Sequence, residues 1–159
     1  MADSRGRPDW RNPAHLLAFG LGAGAAPKAP GTAGTLVAVP LYLLVSGLPL
    51  WAYLAITVAA FLAGIWICGR TAEDLGTHDH PGIVWDEVVG FLVTMTAAPA
   101  GWAWLVAGFA LFRGFDILKP WPIHWLDARV GGGLGIMLDD LAAGLFAFAV
   151  LQGIAWLGQ

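Results

Sequence analysis

His78-Asp79-His80-Pro81-Gly82-Ile83-Val84-Trp85-Asp86-Glu87-Val88-Val89-Gly90 runs without a break into Phe91-Leu92-Val93-Thr94-Met95. Two adjacent carboxylates therefore stand inside an apolar run. If that run crosses a membrane, each acid costs roughly 2.5–3.5 kcal/mol at the bilayer centre and less toward an end. Such residues need a partner or a use, and the rest of the chain shows what supplies one.

The 159 residues are 58% hydrophobic and only 12% charged, with a mean hydropathy of +0.69. A soluble domain carries about 25% charged residues, twice this share. Nine Trp add to the case, because indoles favour the membrane interface. Continuous apolar runs exclude a β-barrel, which needs alternation. The expected class is an all-α integral membrane protein, one membrane domain over 1–159 behind a polar, loose tail at 1–12. The net charge of -3 says nothing about nucleic acid, and with no basic tract to suggest one, no nucleic-acid partner is expected. The single Cys68 reads as a packing residue. Arg5, Arg7 and Arg11 precede the apolar 16–26 as in a signal peptide, but more membrane segments follow, so no cleavage is expected.

Segment 15–26 is too short to span and predicts an interfacial or re-entrant piece. The Pro- and Gly-rich 27–35 reads as a loop. About five transmembrane helices are expected, near 34–48, 50–69, 83–99, 102–118 and 135–157, with polar connections at 70–82 and 119–133. Threading them puts every Lys, Arg, Asp, Glu and His on one side. By the positive-inside rule that side is cytoplasmic, with the far end of the chain outside. Counted from Gly82, Pro120 and Gly135, the acids Asp86, Asp116 and Asp139 each lie roughly 6 Å inside a helix end at one depth. Early-turn positions for Asp86/Glu87 and Asp139/Asp140 suit the positive helix end, and late ones for Arg113 and Lys119 suit the negative end. Gly114 is expected to admit a neighbouring backbone.

The acidic set is Asp86, Glu87, Asp116, Asp139 and Asp140. Several carboxylates at one depth cannot all stay ionised without cations, which points to Mg²⁺ or a similar hard ion. Helix–helix salt bridges are the plainer explanation, but the acids outnumber the nearby bases. Neighbours on a helix point about 100° apart, so one acid of each adjacent pair is expected to support the other. Lys28, Arg113 and Lys119, with the hydroxyls of Thr32 and Thr35, form a set suited to phosphate. His80, beside His78 and Asp79, reads as a helix-orienting residue, with proton transfer during leaving-group departure as its functional alternative. A metal- or proton-coupled transporter is the competing class, but it needs sites near the midplane open to both sides.

These blocks together resemble one family. Asn12-Pro13-Ala14-His15-Leu16-Leu17, Ala29-Pro30-Gly31-Thr32-Ala33-Gly34-Thr35, Thr77-His78-Asp79-His80 with Ile83-Val84-Trp85-Asp86-Glu87, the stretch from Phe112 to Ile123, and that from Gly132 to Gly144 are similar to phosphatidylglycerophosphatase A, a bacterial inner-membrane lipid phosphatase. The match covers about 12–145 without departure at the motif positions. The resemblance implies Mg²⁺-dependent removal of the terminal phosphate of phosphatidylglycerophosphate, giving phosphatidylglycerol. Either a metal-activated water or an aspartyl-phosphate fits this pattern. The motifs of acid-type lipid phosphatases and of CDP-alcohol phosphotransferases are missing.

Overall fold

A computed structural model describes residues 6–158, and among the described residues every regular element is helical. Helix α1 (Pro13–Ala18) starts behind Asn12, whose Oδ1 accepts from the Ala14 N–H at 3.0 Å, with Pro13 at the first helical position. A 3₁₀ stretch (Gly20–Ala25) follows, interrupted where Leu21 and Gly22 take positive φ. Then come α2 (Pro30–Val45), α3 (Leu50–Leu75), α4 (Trp85–Thr94), α5 (Trp102–Leu118), α6 (Ile123–Arg129) and α7 (Gly132–Leu157).

Helices α3 and α7 have the length and apolar composition needed to cross a membrane, at 26 residues each. That is about 39 Å of helix against a hydrocarbon core of about 30 Å. Both, with the apolar surface around them, fit a membrane-associated chain. Helix α2 has 16 residues and α5 has 17, and α4 has only 10. At the end of α4 and in the turn after it, carbonyls are captured from the side. Tyr53 Oη donates to Leu92 O, Thr96 Oγ1 donates to the same oxygen at 3.2 Å, and Gln152 Nε2 donates to Thr96 O at 2.9 Å. Ala97 then turns with φ +51°, and Pro99 cannot continue a helix.

Other boundaries also move. The expected loop at 27–35 is already the first turn of α2, with Pro30 at its first position and Ala29 in the left-handed region before it. Helix α3 continues to Leu75, and the polar connection at 119–133 contains α6. The 15–26 segment, expected as an interfacial or re-entrant piece, consists of most of α1, packed against α3, and the 3₁₀ turns, packed against α2. His15 is buried there, its Nδ1 accepting the Asp9 N–H at 3.0 Å and its Nε2 3.2 Å from Asp74 Oδ2. The tail is thus not loose from Asp9 onward, and Trp10 packs edge-on against Phe19. Its residues 1–5 lie outside the described ones.

Helix α7 is the hub, packing on α3, α4, α5 and α6. It gets close to its neighbours by leaving out side chains. A Cβ on Gly133 would sit 1.8 Å from Ile65 O, and one on Gly144 would sit 2.6 Å from Gly90 O. Small residues at such crossings let backbones touch, which matters where lipid offers no hydrophobic drive between helices. Gly114 does not play this part, since nothing lies within 4 Å of its Cβ position. Replacing Gly133 by Leu should therefore cost about 1–3 kcal/mol through overpacking. Gly153→Ala, where a Cβ meets nothing within 4 Å, should be neutral or stabilising. Thermal unfolding in detergent checks the contrast, and equal behaviour of the two variants would discount the close crossing.

Candidate active site

The site forms where α4 begins. Just before it, the Val84 N–H donates to Ala18 O at 2.7 Å, which pins the entry of the helix to α1. Asp86 and Glu87 then fall in the first turn of α4, at its positive end. Asp139 and Asp140 do not share that benefit. Helix α7 starts at Gly132, earlier than expected, and has no acid in its first turn. The acids still converge, because α4 itself starts deep inside the bundle. A Cβ on Gly90 would sit 2.9 Å from Asp140 O, so the two backbones touch one turn beyond the carboxylates.

The five acids divide into two kinds. Asp86, Glu87 and Asp140 each place a carboxylate oxygen within 4.8 Å of the others. Each also has one buried oxygen without a hydrogen-bond partner: Asp86 Oδ1, Glu87 Oε2 and Asp140 Oδ2. Asp116 and Asp139 are instead taken up by bases. Asp116 Oδ2 pairs with Arg113 Nη1, and Asp139 Oδ2 accepts from Lys119 Nζ at 2.7 Å. Both stay next to the cluster, as Asp140 has Glu87, Asp116 and Asp139 as its charged neighbours.

The bases are shaped by their backbone. Lys119 closes α5 with φ +42°, a left-handed conformation that side chains rarely take, just before Pro120. The turn sends its ammonium group to Asp139 and, at 3.1 Å, to Asp127 on α6. Arg113 Nη1 also reaches Glu87 Oε1 at 3.7 Å, while its Nε is buried without a partner. Gly31, in the first turn of α2, packs directly over this pair. A Cβ there would sit 2.2 Å from Glu87 Oε1 and 3.1 Å from both terminal guanidinium nitrogens. The α2 start is thereby part of the site wall.

The other expected residues are placed less centrally. Thr35 is buried and its hydroxyl donates to Gly31 O at 2.9 Å, inside its own helix. Thr32 stands half-buried in the same first turn, and Lys28 is exposed without an ion pair to the cluster among the described residues. His80 accepts the Gly82 N–H on Nδ1 at 3.0 Å and packs on Phe19, the turn-orienting role. Asp127 escaped sequence reasoning because α6 was hidden in a polar connection. The signal available was the Lys119-Pro120 stop followed by a short amphipathic stretch. The ion-pair chain from buried His15 through Asp74 to exposed Arg70 was missed as well. Only the amphipathic spacing of Arg70 and Asp74 hinted at it.

A sequence model of the phosphatidylglycerophosphatase A family matches residues 16–155. The chain belongs to the phosphatidylglycerophosphatase A family. It is 44% identical to phosphatidylglycerophosphatase A of Escherichia coli K12 over 152 residues, 95% of this chain and 88% of that protein. It is 46% identical to the Haemophilus influenzae protein of the same name, over 91% of this chain and 90% of that one. A Bacteroides thetaiotaomicron relative, provisionally named a phosphatidylinositol-3-phosphatase, is 38% identical over 89% of this chain and 92% of its own. No solved structure matches the chain. Family membership makes the chain an enzyme, a hydrolase of phosphoric monoesters.

Within this family reading, Arg113 is the cation best placed to meet an oxyanion, with one nitrogen free. Arg113→Ala should lower turnover by about 10²–10³-fold, the usual loss for one charge-stabilising donor. Arg113→Lys should not restore it, because a point charge cannot replace the planar fork. The measurement is phosphate release by variants that elute as wild type in detergent. Near-normal turnover in either variant would remove Arg113 from the site.

Proposed function

We propose that this protein hydrolyses the terminal phosphate of phosphatidylglycerophosphate, releasing phosphatidylglycerol and phosphate at the cytoplasmic face of the bacterial inner membrane. The observation that carries the reading is the trio Asp86, Glu87 and Asp140, with three buried unpartnered oxygens and, for a base, only the 3.7 Å approach of Arg113 to Glu87. Two of the five acids are answered by Arg113 and Lys119, which leaves these three repelling one another at low dielectric. An all-oxygen donor set of this kind fits a hard divalent cation such as Mg²⁺, and no thiolate competes for it. Cys68 is buried against Met137 instead. Asp86, Glu87 and Asp140 would hold the ion, while Asp116 and Asp139 orient the bases.

When bound, such an ion neutralises phosphate oxygens and favours formation of the attacking nucleophile. The chain's own groups supply the rest. Arg113 receives equatorial phosphate oxygens on its unpartnered side and keeps its geometry through Asp116. Lys119, fixed between Asp139 and Asp127, adds positive charge at the edge of the same site. A cluster carboxylate takes the proton of the attacking water. The glycerol oxygen leaves the phosphorus and must gain a proton, for which His80 is the supporting candidate from the α4 entry loop. Phosphate ends up in water while the lipid product stays in the bilayer.

The five-span arrangement belongs to the same proposal. Helices α2, α3, α4, α5 and α7 thread the membrane, α4 with the help of the 95–101 turn. All Asp, Glu, Lys, Arg and His among the described residues fall at the ends that α2, α4 and α7 start from and α3 and α5 finish at. One face then carries all the chemistry. The positive-inside rule sets that face toward the cytoplasm.

Two measurements test the reading. Phosphate release from phosphatidylglycerophosphate by purified protein should stop in EDTA and return with Mg²⁺. Glu87→Gln and Asp140→Asn should raise the Mg²⁺ concentration needed for half-maximal rate. Full turnover in EDTA would remove the ion from the mechanism. For topology, a reporter fused after Gln159 should be active only as a periplasmic fusion, and a cytoplasmic signal there would break the five-span count.

A further inference from the structure

An apolar cavity of about 330 Å³ lies between α2 and α5, lined by Leu36, Val39, Leu105, Val106, Phe109 and Ala110. It is open to the outside of the bundle, with Leu36 and Val106 each 58% exposed. No polar side chain lines it. Its two walls both lead into the site within one helical turn. On α5, Arg113 follows Phe109 and Ala110 by three to four residues, the spacing that keeps side chains on one face. On α2, Thr32 and Thr35 precede Leu36 and Val39 in the same way, and Gly31 closes against Arg113 and Glu87. By this spacing the groove leads toward the guanidinium of Arg113, whose buried Nε has no partner, beside the carboxylate trio.

We propose that this groove holds an acyl chain of the phospholipid substrate, so that the lipid enters sideways between α2 and α5 with its phosphate at Arg113. The proposal rests on the lipid-phosphatase reading above. From Arg113 back to Leu105 the α5 wall is about 12 Å long, enough to align the glycerol end of a lipid tail along the helix. The charge order also fits: an anionic phosphate meets the cation at the inner end, and the apolar tail meets six apolar side chains behind it. A second apolar cavity, bordered by Leu54, Val58, Thr96 and Phe148, lies toward the end of α4 opposite the acids. It lacks such a continuation.

In a bilayer the groove gains little affinity, because the lipid tails around it are equally apolar. Its effect is on position. The test is therefore steric. Leu36→Trp and Val106→Trp fill the groove from its exposed rim, where the fold has room. Both should lower kcat/KM for diacyl phosphatidylglycerophosphate in mixed micelles by about tenfold to a hundredfold, the usual result of slight misplacement of the reacting atoms. Both should leave turnover of the deacylated, water-soluble head-group phosphate unchanged. Equal loss on the two substrates, or loss on neither, would overturn the groove assignment. A second measurement needs no variant: the wild-type protein is irradiated with phosphatidylglycerophosphate carrying a photoreactive group in one acyl chain. Crosslinks should map to α2 and α5, and crosslinks confined to other helices would overturn the proposal. If the wild type releases no phosphate from the diacyl lipid, the lipid-phosphatase reading itself falls; if it does and the tryptophan variants fail to separate the substrates, only the groove falls.

Discussion

The constraint on which this structure depends is the backbone contact between α4 and α7. Gly90 and Gly144 let the two helices meet with no side chain between them, and this brings Asp140 against Asp86 and Glu87. Three carboxylates at that range in a poorly solvated place repel by several kcal/mol at any plausible effective dielectric. Packing alone does not favour such a meeting. On the proposed function, glycine contacts that force this meeting serve to leave the trio for a cation to answer.

The surrounding residues make the same division of labour visible. Arg113 and Lys119 do not neutralise the trio fully: each is engaged mainly by its own acid, Asp116 or Asp139, and only Arg113 also reaches the trio, at Glu87. A fully paired cluster would be inert, since buried ion pairs of good geometry leave no oxygen for a ligand. Here the bases are oriented and the trio stays open. The strained Lys119 turn supports this view, because a helix could end on a glycine at no conformational cost. It ends on lysine so that one ammonium group can join α5, α6 and α7 at the site's edge.

Much of this was legible in the sequence. Acids in apolar runs named the residues that converge, and the ordered blocks pointed to the family. Helix punctuation was a poorer guide to depth. Counting from Gly82 and Gly135 put Asp86 and Asp139 at equal distances from helix starts. In fact α4 starts at Trp85 and α7 at Gly132, so Asp86 is in a first turn and Asp139 is not. Tertiary bonds decided these ends, Val84 to Ala18 at one side and Tyr53 to Leu92 at the other. No local pattern encodes a partner more than thirty residues away. The division of the five acids was hidden for the same reason, since adjacent residues on one helix find different partners on others.

The brevity of α4 bears on how a membrane-embedded chain can run a hydrolysis. A full-length helix would carry Asp86 and Glu87 near the surface, where water screens them and the helix end is frayed. A ten-residue helix starting inside the bundle sets them beside α7 while the entry loop, with His80 and Gly82, stays in reach of water. Its other end and the turn after it leave carbonyls that need donors from elsewhere. Tyr53, Thr96 and Gln152 satisfy them from the side. The hydroxyls and amide at the uncharged end thus complete the same arrangement as the acids at the charged one. Those groups answer the polar atoms at one end of a short helix, and its shortness sets the carboxylates at the other end inside the bundle.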